Sequence, residues 1–258
     1  MTKWLKRLYL LLIYSFLYAP ILVLIVFSFN EGKTRGSWQG FSLHWYESLF
    51  SNDEIMAALR NTLSVASIAT VVSTIIGTLG AIGIYEFKYS KRRVMLAMNQ
   101  IPVINPDIVA AVGFMVLYRA LQLDSGYFTL VLSHIAFTVP YVVLSVLPKL
   151  KQMPRSFVEA AMDLGATPMQ TMRLVVLPQI KTGIISGALM AFTLSIDDFV
   201  ISFFTTGNGV ETVSTMVYSM ARRGINPEVN ALSTLMFGAM LILMLLMNII
   251  PEVKGDKR

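Results

Sequence analysis

Apolar and polar positions along this chain alternate on the scale of whole helices. Six long apolar segments stand out, at roughly 8–29, 61–85, 94–121, 126–148, 182–206 and 230–250. Each has about 20 residues or more, the length that crosses a hydrocarbon core about 30 Å thick. The pattern predicts an all-α integral membrane protein with six transmembrane helices, forming one transmembrane domain over 1–258. The polar stretches between segments are mostly short. The exception is 149–181, which carries start and stop signals of its own.

Within that stretch, Ser156 followed by Glu159 reads as a capping box, in which each side chain satisfies an orphan backbone donor. Phe157, Ala161 and Leu164 then fall on one helical face, and Gly165 suits the left-handed turn that ends a helix. Thr167, Pro168 and Gln170 repeat the start signal. Met169, Met172 and Val176 give a second apolar face, and Pro178 closes the unit. Two short amphipathic helices meeting at a bend at Gly165–Ala166 are expected. Lipid-exposed backbone cannot take this irregular form, so the loop lies in water. There an apolar face must be covered, by a groove or by the membrane surface.

Charge fixes the orientation. With the N-terminus inside, fifteen of the 21 Lys and Arg residues fall on the cytoplasmic side, including Lys88, Arg92, Lys149, Arg155, Lys254, Lys257 and Arg258. The other six, among them Lys33, Arg35, Arg222 and Arg223, fall outside. This bias matches the positive-inside rule and puts both termini and the 149–181 loop in the cytoplasm. The net charge of +6 is thus sorted by membrane side and does not call for nucleic acid.

Composition agrees: 55% of residues are hydrophobic and only 14% charged, against about 25% charged in soluble domains. Without cysteine there is neither a disulfide framework nor a thiolate metal site. His44 and His134 read as isolated residues and no metal site is expected. The first apolar run, after Lys3, Lys6 and Arg7, exceeds the core of a signal peptide and reads as a retained span. Gly32-Lys33-Thr34 mimics the end of a phosphate-binding loop, but Phe27 stands where that loop needs glycine. No cofactor site and no enzymatic grouping is expected in this chain.

Three carboxylates fall inside apolar segments, where a charge costs about 2.5–3.5 kcal/mol and marks a functional site by default. Asp107 follows Pro102 and Pro106, about 20 Å from the inner end of the third segment and so near the midplane. Ala111, Phe114 and Tyr118 share its helical face. A carboxylate with rings above it suits a chain-like polyammonium ion, pairing one charge while rings pack methylenes or hold cations. Asp197 and Asp198 come about 25 Å up the fifth segment, in its outer half. On a continuous helix they point about 100° apart, Asp198 beside Ala191 and Ser195, Asp197 beside Thr193 and Ser186. Which one faces a path is open. Gly183, Gly187, Ala191 and Ser195 recur every four residues and suit close helix packing, within the chain or against another. Glu211 and Glu228, between the last two segments, read as solvated charges, with contact to a binding protein or attraction of incoming cations as the alternative.

The stretch EAAMDLGATPMQTMRLVVLP (159–178) resembles the EAA loop of ABC importer permeases. It matches at Glu159, Ala160, Ala161, Gly165, Leu177 and Pro178, with Val175 where isoleucine is usual. WQGFSLHWYESL (38–49), PDIV (106–109), FTLSIDD (192–198) and YSMARRGINPEVNAL (218–232) extend the resemblance, which is nearest to the C-type permeases of spermidine/putrescine importers. The resemblance implies an importer type I permease fold in a bacterial inner membrane. It also implies a second homologous permease as partner, two copies of an ATP-binding subunit that hold ATP and magnesium, and an extracytoplasmic polyamine-binding protein. The EAA loop would then sit in a cleft of the ATPase. A permease for another solute is the alternative, although an anion path calls for cations near the spans, where only Arg60 and Arg119 stand. A proton-coupled carrier would also use buried acids, but it has no use for the loop and often shows internal repeats, which this chain lacks.

Overall fold

The computed structural model describes residues 3–32, 37–223 and 227–249. Lys33, Thr34, Arg35, Lys254, Lys257 and Arg258 lie outside the described residues, as does the end of the sixth apolar segment. Among those described, the chain is helical apart from loops and one isolated antiparallel bridge between Asn30 and Phe41.

The first apolar segment is α1 (Lys3–Ser28), followed by α2 (His44–Ser51) and by α3 (Asp53–Glu86), which holds the second. The third is divided. Instead of one span over 94–121, α4 (Tyr89–Ile104) and α5 (Asp107–Ala120) meet at an angle of 101°. Asn105 and Pro106 between them are extended, with ψ of 141° and 138°. Proline keeps its preceding residue out of the helical region, so Pro106 ends α4 at Ile104.

The fourth segment forms α6 (Tyr127–Gln152), and the EAA stretch forms α7 (Arg155–Asp163) and α8 (Pro168–Thr171). A π-helical turn over Met172–Val176 then leads into α9 (Leu177–Asp197), and α10 (Val200–Thr205) follows a break. The fifth segment is therefore also interrupted. Pro178 does not close the loop as expected, because 168–197 run on as one 30-residue apolar rod. Proline lacks an N–H and clashes with the carbonyl four residues back. A π-turn beside it absorbs the misfit without ending the helix.

Two further helices complete the chain, α11 (Val213–Arg223) and α12 (Pro227–Ile249). Among the described residues four helices are long and apolar enough to cross a membrane, five if the bent α4–α5 pair counts as one. At ~1.5 Å per residue, the 23 residues of α12 extend about 34 Å.

The helices gather into two units. One holds residues 1–57 and 216–246. In it Trp45 donates its indole N–H to the Asn30 carbonyl at 2.7 Å, and Ser48 donates to Glu228 at 2.5 Å. Glu228 is therefore not the solvated charge expected: it sits in the first turn of α12 and is buried.

The other unit, centred on 58–215, packs α3, α4 and α9 around α6. Gly183, Gly187, Ala191 and Ser195 are all buried. Gly183 and Gly187 press on Ser145 and Val142 of α6, which assigns the stripe to packing inside this chain. Gly77 of α3 is tighter still, since a β-carbon there would lie 2.6 Å from that of Val142. Gly77→Leu is expected to destabilise the unit by about 1–3 kcal/mol, the usual cost of overpacking. A lowered melting temperature of the detergent-extracted importer is the check.

Candidate functional site

The loop expected to face the cytoplasm is built as its local signals require, with one exception. Helix α7 starts at Arg155 with Pro154 as N-cap and no side-chain cap, so the Ser156–Glu159 box does not form. Proline's fixed φ starts the helix early enough to place Ser156 at its second position. The other end follows expectation. Gly165 has φ +85°, the Ala166 N–H donates to the Ala161 carbonyl at 3.0 Å, and the Gly165 N–H donates to Met162 at 2.9 Å. That pair of bonds is the Schellman closure. Thr167 then caps α8: its N–H donates to Gln170 Oε1 at 2.8 Å and its Oγ1 accepts from the Gln170 N–H at 3.3 Å.

The loop is anchored through Arg155, whose guanidinium lies 5.9 Å from the centre of the Tyr85 ring at the end of α3. Hydrogen bonding to Tyr85, with Glu86 and Glu159 nearby, holds this arginine above its usual pKa. Val158 and Met172 pack inward against the core. Phe157, Leu164 and Met169 instead stand outward, 45%, 89% and 76% exposed. Glu159 and Ala160 are exposed beside them, and Leu177 is partly buried while Pro178 is exposed. The outward residues leave an apolar ridge on either side of a capped bend.

The membrane carboxylates all lie in the larger unit. Asp107 is the first residue of α5. It is exposed and within Coulombic reach of Asp198 and Tyr141. Phe114 and Tyr118 stack with ring centres 6.3 Å apart. Tyr118 is not open to cargo as expected: it is 5% exposed and its hydroxyl pairs with Ser133 at 2.8 Å. Phe114 is partly buried against Phe137 of α6 and Ile201 of α10, with Tyr141 beside them.

The two adjacent aspartates differ sharply. Helix α9 ends at Asp197, and Asp198 is extended with ψ 123°, so the expected continuous register fails after Asp197. Asp198 Oδ1 accepts from the Ile201 N–H at 3.2 Å, and Oδ2 from the Ser202 N–H at 2.7 Å. Asp198 thus satisfies the first amides of α10, which would otherwise be orphaned. Its side chain is 5% exposed and its Oδ2 stands 3.6 Å from His134 Nε2. Asp197, on the side of Ser186, is exposed. His134 is not isolated: it is 1% exposed, with Nδ1 2.7 Å from Ser195 Oγ and Nε2 3.1 Å from Ser202 Oγ. Sequence spacing gives no sign of this cluster, whose members are some 60 residues apart. Among the described residues no group of acids and histidines could hold a metal ion.

The model for the binding-protein-dependent transport system inner membrane component matches residues 1–253. The spermidine/putrescine transport system permease protein PotC of Haemophilus influenzae is 35% identical over 246 residues, covering 95% of this chain and 96% of that protein. The putrescine transport system permease protein PotI of Escherichia coli K12 is 40% identical over 237 residues, covering 89% and 84%. Among solved structures, a chain of the bacterial alginate ABC transporter in complex with an alginate-pentasaccharide-bound periplasmic protein superposes with TM-score 0.70. It is 20% identical over 95% of this chain and 93% of its own. A chain of the inward-facing MetNI methionine ABC transporter gives TM-score 0.59 at 19% identity, covering 76% and 93%. At these identities the structures share the fold alone.

Proposed function

We propose, for a chain that belongs to the family of binding-protein-dependent transport system inner membrane components, that it is the membrane-spanning subunit of an ABC importer for putrescine or spermidine. It is a multi-pass inner membrane protein and a transport subunit rather than an enzyme. Its six spans keep both termini in the cytoplasm. A second permease completes the path, an extracytoplasmic binding protein delivers the polyamine, and two ATPase copies hold ATP and magnesium. The ridge of Phe157, Leu164 and Met169 enters the ATPase, and the capped bend at Gly165 passes its closure to α9 through the unbroken 168–197 rod.

Asp107 and Asp197 supply temporary counter-charge to the cargo. The fold alone does not set the cargo, since the structural neighbours include an alginate transporter. The observation that carries the polyamine reading is the pair of carboxylates turned away from the core at two helix breaks, in a chain similar throughout to polyamine permeases. Binding must stay weak enough for release.

The test is ATP hydrolysis by the co-purified importer with its binding protein. Putrescine or spermidine is expected to stimulate hydrolysis severalfold, and amino acids or oxyanions are not. Stimulation by an oxyanion or amino acid, with none by polyamines, overturns the cargo while leaving the family intact.

A further inference from the structure

The local sequence carries only one sign of the break between α9 and α10, Asp198 as a side chain able to cap a helix start. Residues 194–205 read LSIDDFVISFFT, with neither proline nor glycine to end a helix. Sharp helix breaks ordinarily have such a residue or an inserted side chain. Here Asp198 takes the backbone amides at the break, and α6 holds the two sides of it. His134 presents one ring nitrogen to Ser195, in the last turn of α9, and the other to Ser202, in the first turn of α10. It therefore bridges the break from both sides. With the proton on Nε2, the ring donates toward Ser202 and Asp198 while Nδ1 accepts from the Ser195 hydroxyl, so every buried polar atom of the group has a partner. Thr129 adds a second tie from α6, donating to the Thr205 carbonyl at 3.0 Å. A helix of six residues is too short to persist alone.

We infer that His134 is a positioning residue for transport: it staples α9 to α10, commits Asp198 to capping the break, and so fixes Asp197 as the aspartate of the pair that meets the cargo. The inference rests on the polyamine-importer reading and refines it. Without the staple, 194–205 can close into one helix. Asp198 then loses its amides and its carboxylate is released, while Asp197, the last residue of α9, keeps its direction.

The natural chain has no cysteine, which makes the test clean. Asp197→Cys is introduced into the complete importer in membranes, and its thiol is titrated with the cation methanethiosulfonate-ethylammonium. With His134 present, the thiol is expected to react, because residue 197 is exposed. Adding His134→Leu releases the Asp198 carboxylate beside the thiol and should raise the rate with this cation severalfold, whereas His134→Gln, which can still bond at both ends, should return it toward the original rate. In chains that keep Asp197, His134→Leu should lower uptake about tenfold and His134→Gln should regain it. If His134→Leu does not reach the membrane, Ser195→Ala combined with Ser202→Ala removes both anchors and keeps the ring, with the same expectation. An unchanged rate at 197 and unchanged uptake in whichever variant assembles overturn the staple. A thiol that responds to His134→Leu, in an importer whose Asp197 form takes up no polyamine, overturns the cargo reading and leaves the staple standing.

Discussion

Gly165→Val is expected to cut ATP-driven uptake by more than about tenfold while the permease still reaches the membrane. Gly165 holds φ +85°, and a β-carbon there would meet nothing within 4 Å. The penalty is therefore conformational. Left-handed backbone costs an ordinary L-residue about 1–2 kcal/mol, and a β-branched one more. The Schellman bonds from Gly165 and Ala166 would give way first, since the bend is exposed and nothing packs on it to hold it. Loss of the bend re-aims α7 against α8 and scatters the ridge of Phe157, Leu164 and Met169. Ordering a loose ridge again on docking opposes binding, because immobilised side chains and backbone each carry an entropic cost. Gly165→Asn is the control, as asparagine tolerates the left-handed region best among residues with side chains. Uptake and polyamine-stimulated hydrolysis, measured on the same membranes, separate coupling from assembly. Normal uptake by the valine variant would remove the bend from the coupling path.

This loop was legible in the sequence because its determinants are local. Gly165, Thr167, Pro168 and Gln170 act within one or two turns, and the structure realises each of them. The Ser156–Glu159 box is the exception, and its competitor is also local: Pro154 starts the helix two residues sooner. The spans were legible for another reason, since length and hydropathy alone decide what can cross a bilayer. What the sequence concealed is where those spans break. Pro106 signals an interruption but not its size, and the 101° turn depends on how α4 and α5 each pack on α6. At 198–199 the one local signal is the capping side chain of Asp198. The break there is held by His134, Ser195 and Ser202, which the fold alone brings together. For the same reason the helical-face argument for Tyr118 misled: its spacing from Asp107 is right, but its hydroxyl is already spent on Ser133.

Asp197→Asn is expected to abolish polyamine uptake, by about a hundredfold, in an importer that assembles normally. A carboxylate paired with an ammonium in a partly dry path is worth about 3 kcal/mol, and every ~1.4 kcal/mol is a factor of ten. Asp197 is exposed, and no backbone amide of the α9–α10 break depends on it, so its loss should leave the fold unharmed. Asp197→Glu keeps the charge and should retain part of the uptake. Asp198→Asn fails differently. An amide offers one acceptor oxygen where the carboxylate serves two N–H groups, so one amide of α10 is left short and the break loosens. Its signature is a lower melting temperature of the importer alongside reduced uptake, whereas Asp197→Asn loses uptake alone. Asp107→Asn belongs with Asp197→Asn if both carboxylates meet the same cargo, because each is turned away from the core and neither bonds within it. Radiolabelled putrescine uptake paired with thermal unfolding of each variant separates the two patterns. Asp197→Asn taking up putrescine at the wild-type rate would mean that the cargo passes this break without meeting its charge.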